Sequence, residues 1–408
     1  MTLSSSIQKF MCTMFILLGM TSCRWFCPEH PDEGCFDRTV LVYMAAENSL
    51  SYGAFHEQDI DEMLLAIGDM PKNNRLLVYL DDTDFPRILS IEKKEGKAVS
   101  TVLHQYTAEH NSGDTETLRL VMEWVNEHSP SLSYGLIFWS HGDAWLPAQA
   151  PMQRSICIDN ERNSYSNSGT KMDLDAVAEV LSAFPRFEFI MFDACFMQAV
   201  EVAYELRHVT RYVIASPAEI PNPGAPYDRM IKPLFSLPFD AESVIMEYYR
   251  VYNDSVMSVF GYGSDRYGVS LSAICCEHLE ELASVTADMV VKYVSKSSPT
   301  NLSGLQRYYP LSSKSRPEYY DMNGYMHRLI TDDGDYARWK SAFDRAVPYA
   351  VSTAWWYSND ARTQLVDLDF YGGVSCYVPQ QSSIYSSLNT KFKSTSWYTA
   401  TGWSKVGW

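Results

Sequence analysis

The run Tyr134-Gly-Leu-Ile-Phe-Trp-Ser-His141-Gly142 ends on a histidine, and the run Phe187-Glu-Phe-Ile-Met-Phe-Asp193-Ala194-Cys195 ends on a cysteine. Each is short, apolar and rich in β-favouring residues, the pattern of a strand buried on both faces. In open α/β sheets, ligands bind outside the carboxyl ends of the strands. If the two strands are neighbours, an imidazole and a thiol meet at one sheet edge, a nucleophile beside its proton acceptor. A lone cysteine at a strand end is ordinarily a small buried residue. The pairing with a histidine makes Cys195 the candidate nucleophile and His141 the candidate base and acid. A helical pattern from Phe196 to Arg207 would put Cys195 at a helix N-terminus, where the dipole favours a thiolate.

Upstream, Arg38 to Ala46 reads as a first buried strand, ending in the polar loop Glu47-Asn48-Ser49-Leu50. Ile60, Leu64 and Ile67 form a helical stripe over 55–67, stopped by Gly68 and Pro71. Arg75 to Leu80 is a second strand, followed by Asp81-Asp82-Thr83-Asp84. These acids lack EF-hand spacing and read as loop solvation. A hairpin is expected around Glu95-Gly96, and a helix from the Asp114 cap to His128. Between the two signature strands lie a Pro-containing loop, a short strand at 156–158, a polar tract at 161–170 and a helix over 173–184. Alternating strands and helices predict an α/β fold with a mostly parallel sheet flanked by helices.

Beyond about residue 240 the pattern changes. Helices are expected over 241–252, 277–294, 336–350 and 355–365, and strands over 269–274 and 371–378. This half, 236–408, is read as a C-terminal α+β subdomain packed on a catalytic domain spanning 38–235. The chain has 408 residues, 46% of them hydrophobic, and a formal net charge of −17. Such an acidic chain is a poor ligand for nucleic acid or for a polybasic membrane anchor. Nine cysteines occur with no C-x-x-C pair, so no structural zinc site is expected. Cys27 and Cys35 could pair in an oxidising compartment or remain thiols. Residues 1–22 read as a signal segment, with an apolar run from Phe10 to Met20 too short for a comfortable bilayer span. Cys23 follows at a position that suits lipid attachment, and a linker runs to residue 37.

The blocks Ser140-His141-Gly142-Asp143-Ala144-Trp145 and Phe192-Asp193-Ala194-Cys195-Phe196-Met197 resemble the His-Gly and Asp-Ala-Cys blocks of the clostripain family of cysteine peptidases. That family shares a caspase-like sheet with caspases, legumain and gingipains. Ala45 to Leu50, Asn111 to Leu118, Glu201 to Leu206, Ala215-Ser216-Pro217 and Gly224-Ala225-Pro226-Tyr227 resemble further family blocks in the same order, over roughly 38–235. The resemblance implies an endopeptidase acting on polypeptides through a Cys195/His141 dyad. It also implies backbone N–H groups of Gly142 and Cys195 as oxyanion donors, and Asp193 in a pocket favouring Arg or Lys before the cut. Glu219 is a second acid for that pocket. Glu47 and Ser49 depart from the aspartates usual in the first block. The leader and Cys23 resemble those of bacterial lipoproteins and imply a cell-envelope or secreted protein contacting the membrane only through a lipid on Cys23; no cofactor is expected, calcium being left open without a supporting motif. Arg154, Arg162 and Lys171 are candidate processing sites. Two alternatives stay open: a non-catalytic surface lipoprotein binding peptides in a caspase-like cleft, and an α/β hydrolase using Ser140 or Ser216.

Overall fold

Burial explains why the strands form where they do. β1 (Arg38–Ala45) is buried along its whole length. Its alternate residues feed two different cores, Val40, Val42 and Met44 on one side, Leu41, Tyr43 and Ala45 on the other. A strand that is apolar on both faces must be covered on both faces, which an isolated hairpin cannot do. The structure, a computed structural model, describes residues 35–145, 156–160, 169–253, 268–308, 319–356, 363–364 and 370–408.

In chain order the first helix is α1 (Phe55–Ala66), followed by β2 (Asn74–Asp81), β3 (Arg87–Lys94), β4 (Lys97–Gln105) and α2 (Thr115–His128). The Asp114 side chain accepts from the Glu116 N–H and starts α2. Then come β5 (Tyr134–Trp139), β6 (Ile156–Asp159), β7 (Thr170–Met172), α3 (Leu174–Leu181), β8 (Phe187–Asp193), α4 (Val200–Leu206), β9 (Thr210–Ala215), α5 (Tyr227–Leu234) and α6 (Ala241–Asn253). Next are β10 (Ser270–Cys275), α7 (Leu279–Tyr293), β11 (Tyr319–Asp321), α8 (Met322–Leu329), α9 (Asp333–Ala346) and β12 (Tyr349–Ser352). The short strands β13 (Trp355–Trp356), β14 (Thr363–Gln364) and β15 (Ser375–Tyr377) follow.

A nine-stranded sheet runs β12-β10-β9-β8-β5-β1-β2-β3-β4. Its centre, from β9 to β2, is parallel, and antiparallel strands extend both edges. One face is covered by α1, α5 and α6, the other by α2, α3, α4, α7, α8 and α9. β10 and β12 come from beyond residue 236, so the sheet is continuous across that position. α4 is tied to β15 where the Tyr377 N–H donates to Glu201 Oε1 at 2.8 Å.

Several expectations need correction. The segment after Cys195 is not helical until Val200. Phe196 takes a left-handed φ of 63°, its N–H donates to the Ala218 carbonyl, and the Gln198 N–H donates to the Ser216 carbonyl. Pairing with residues 216–218 has taken the place of the first helical turn. α9 stops at Ala346, ahead of Pro348, and Tyr349–Ser352 becomes the edge strand β12 rather than more helix. Trp355–Trp356 pairs antiparallel with Thr363–Gln364, where a helix was expected. Asp81 and Asp82 are buried, not solvated. Cys35 is disulfide-bonded, while Cys23 and Cys27 lie outside the described residues.

Arg38 shows how the first strand is locked to a helix of the opposite layer. It is 1% exposed, and its Nη1 donates to the carbonyls of Leu234 and Ser236, both at 2.9 Å, at the end of α5. Replacing Arg38 with Leu removes these donors and leaves buried carbonyls unpaired. We expect a loss of roughly 2–4 kcal/mol in urea unfolding. A change within about 0.5 kcal/mol would show that the buried guanidinium is dispensable.

Candidate active site

β5 and β8 are parallel neighbours, in register from Gly135↔Phe189 to Trp139↔Asp193. The Ser140 N–H continues the ladder to the Asp193 carbonyl at 3.4 Å. His141 and Cys195 therefore stand two residues beyond one paired position, at one carboxyl edge. Both line a cleft of about 310 Å³, together with Ser49, Asp193 and Glu219.

The His141 ring meets the end of β1. Its Nε2 lies 2.9 Å from the Ser49 hydroxyl, an interaction in which either partner can donate according to the tautomer. Ser49 is held by its neighbour Asn48. The Asn48 Nδ2 donates to the carbonyls of Ala45 at 2.7 Å and Ile158 at 2.9 Å, and its Oδ1 accepts from the Leu50 N–H. In the sequence Ser49 is marked only as a departure from the family's usual aspartate. The available signal was its position, just past β1, the strand bordering β5.

Cys195 occupies a turn and is half-buried. With α4 starting only at Val200, no helix dipole acts on the sulfur. A backbone donor does, since the Ile220 N–H reaches Sγ at 3.3 Å. Hydrogen bonding to sulfur favours its ionised form. Gly142 is buried against this turn. A Cβ there would stand 2.9 Å from the Cys195 carbonyl oxygen and 3.0 Å from Ala194 Cβ, so only glycine lets the two strand ends close together. Cys157, Cys275, Cys276 and Cys376 are buried, and burial pushes each thiol up. Ser140 and Ser216 are structural. Ser140 Oγ donates to the Ala45 carbonyl and accepts from the Ile158 N–H, and Ser216 Oγ bonds within its own loop to Ala218.

Asp193 forms the floor of the cleft. It is 7% exposed, and both its oxygens accept from the Ala225 N–H at 3.2 Å, while the Tyr227 hydroxyl donates to Oδ2 at 3.3 Å. Burial raises its carboxyl to about 7, against the lowering effect of those donors. Behind it, burial and then Asp228 raise Glu62 to about 7. Burial, then Asp193, also raise Asp59, although the Trp139 Nε1 donates to Asp59 Oδ2 at 2.5 Å. Gly224 has a φ of +89°, and a Cβ on it would lie 3.2 Å from Asp193 Oδ2. Of the suggested processing sites, Lys171 is buried in β7, paired across β6, and is not offered to a protease in the folded chain. Arg154 and Arg162 lie outside the described residues.

A sequence profile of the clostripain family matches residues 42–408, a longer reach than the 38–235 of the motif blocks. Clostripain of Hathewaya histolytica is 26% identical over 221 residues, which are 47% of this chain and 41% of that protein; the chain thus spans less than half of that relative's length. A secreted C11 cysteine protease from Bacteroides thetaiotaomicron, solved with an irreversible peptide inhibitor, is 33% identical with a TM-score of 0.77, covering 91% of this chain and 100% of that one. An inactive zymogen C11 protease from Parabacteroides distasonis is 29% identical with a TM-score of 0.75, covering 90% of this chain and 98% of that one.

The raised Asp193 carboxyl ties stability to pH. Its folded value of about 7 lies above the ordinary 3.8, so the folded state holds the proton more tightly. That contribution is complete below about pH 4 and lost as pH rises through about 7. Asp193→Asn mimics the protonated form. In a Cys195→Ala background it should gain roughly 2–4 kcal/mol on the parent between about pH 4 and pH 8 in urea unfolding. A pH-independent difference would contradict this assignment.

Proposed function

The chain belongs to the clostripain family, and we propose that it is a cysteine endopeptidase that cuts polypeptides after Arg or Lys through a Cys195/His141 dyad. The observation that carries this reading is the cleft in which a half-buried thiol, an imidazole and a buried carboxylate line one sheet edge. His141 takes the thiol proton as the Cys195 sulfur attacks the scissile carbonyl, forming a C–S bond and moving the π electrons onto oxygen. The backbone N–H groups of Gly142 and Cys195 receive that charge, and such donors contribute about 3 kcal/mol each in the transition state. His141 then delivers a proton to the departing amine, the C–N bond breaks, and an acyl-enzyme remains. Water, deprotonated by His141, releases the acid and restores the thiol. Ser49 holds the imidazole from the β1 side.

Asp193 selects the residue before the cut. Its two oxygens at the cleft floor suit an ammonium or guanidinium, and an incoming cation draws its carboxyl from protonated to ionised. Glu219 adds a second acid on the cleft wall. The proposed setting is the bacterial cell envelope, with residues 1–22 removed as a signal segment and Cys23 acylated. The disulfide at Cys35 supports an oxidising compartment. Among the described residues, no helix is long and apolar enough to cross a membrane. Loss of incorporated radiolabelled fatty acid in Cys23→Ala is the expected result for the anchor; unchanged incorporation would remove it.

Cys195→Ala should lower kcat/KM on Arg and Lys peptides by at least about 10⁴-fold while leaving the unfolding midpoint in place. Residual activity near the parent's would refute the nucleophile. Asp193→Asn should cost Arg substrates about 10²-fold in kcat/KM and leave substrates with a neutral residue at that position nearly unchanged. In the parent enzyme, kcat/KM for an Arg substrate should rise with pH as Asp193 ionises around 7. The Asn variant should lack that limb.

A further inference from the structure

A second cavity, of about 370 Å³, is larger than the catalytic cleft and shares no residue with it. Three stretches of the C-terminal half enclose it: 294–302 after α7, 378–382 after β15, and the segment carrying Trp403 and Trp408. Tyr325 of α8 completes the lining. The walls differ in character. Tyr325, Val378, Trp403 and Trp408 are buried, while Ser295, Asn301, Gln381 and Ser382 are exposed. An aromatic floor thus lies within a rim of hydroxyls and amides.

Main-chain carbonyls hold this shape. Arg328 Nη1 donates to the Asn301 carbonyl at 3.2 Å, and Lys296 Nζ to the Gly407 carbonyl at 2.7 Å. Gln381 Nε2 donates to the Lys296 carbonyl, and the Tyr398 hydroxyl to the Trp408 carbonyl at 2.5 Å. A pocket that is already formed needs little ordering when a ligand enters.

Two observations narrow the ligand. No lining side chain is charged, in a protein where 20% of the residues are. An ion bound here would be desolvated without a counter-charge. Gln380 supplies the second observation. Its N–H donates to Asn389 Oδ1 and its carbonyl accepts from Asn389 Nδ2, so its backbone is fixed. Its side-chain Nε2 is nevertheless buried without a hydrogen-bond partner among the described residues. A buried donor without an acceptor is destabilising, and an entering oxygen relieves it. A purely apolar ligand would leave that donor stranded.

We propose that this cavity binds a neutral carbohydrate of mono- or disaccharide size, apart from the catalytic cleft. A sugar ring carries an apolar C–H face, which suits the aromatic floor, and a girdle of uncharged hydroxyls, which suits Gln380 and the rim. Each hydroxyl both donates and accepts, so a side-chain amide serves it in either orientation.

The test uses the full chain carrying Cys195→Ala, so that peptidase activity plays no part. Saturation-transfer NMR is run with maltose, lactose, chitobiose and mannobiose, and with glucuronic acid and a capped Ala-Pro-Pro-Ala peptide as contrasts. We expect transfer to at least one neutral sugar and none to the acid or the peptide. Gln380→Leu should weaken that binding at least about fivefold. Its Tm should equal or exceed the parent's, since a buried donor without a partner has gone. Ser382→Trp, at the exposed rim where folding is not at stake, should block the cavity and abolish transfer with the Tm unchanged. No transfer to any neutral sugar would overturn the proposal. So would transfer to the acid or the peptide instead, or sugar binding that either variant leaves intact.

Discussion

Parallel hydrogen bonding between β5 and β8 sets where the reactive groups stand. A slip of one residue would turn the end of one strand to the opposite face and separate imidazole from thiol. Packing on both sides of the sheet prevents that slip. Phe138 and Phe192 stack at 5.5 Å between ring centroids in one core. In the other, the Phe189 ring lies over Gly135, where any Cβ would come within 2.3 Å of it. The register is therefore keyed by a missing side chain on one strand and a large ring on its neighbour. Gly142 repeats the device at the strand end, letting the Cys195 turn press against the chain that follows His141.

The distribution of acids is the second organising feature. A chain with net charge −17 keeps most of its carboxylates in water. Asp59, Glu62 and Asp193 are instead gathered beneath the cleft, and burial raises each of them. Under the proposed preference for Arg or Lys, a pocket floored by raised carboxyls would gain its charge as the cation enters. Asp82 follows the opposite rule. Paired with Arg87 at 2.8 Å, its carboxyl sits below the ordinary range although burial opposes this, and it ties the end of β2 to the start of β3.

Much of this was legible from residue order. Two-sided apolar runs announced central parallel strands, and the side chains at their ends announced the thiol and the imidazole. Cys195's surroundings were misread because Phe196 to Arg207 has helical composition, while the backbone of Phe196 and Gln198 is claimed by residues 216–218, a partner that no local pattern reveals. Asp81 and Asp82 looked like a solvated loop for the same reason, since the elements that bury them arrive from elsewhere in the chain. Ser49 stood out only as a departure from the usual aspartate, because a serine carries no signal of its own until the fold brings an imidazole to it. The strands at Tyr349–Ser352 and Trp355–Trp356 hid in sequence that follows a true helix and shares its aromatic content.

The account stands on the imidazole and the thiol working as one unit at this edge. It is tested most directly by intact-mass and peptide-map analysis after exposure to a peptidyl chloromethyl ketone bearing Arg next to the reactive carbon. A single adduct on Cys195 is predicted, blocked by excess Arg peptide and lost in His141→Ala. An adduct on another residue, or one that forms at Cys195 equally fast without His141, would contradict it.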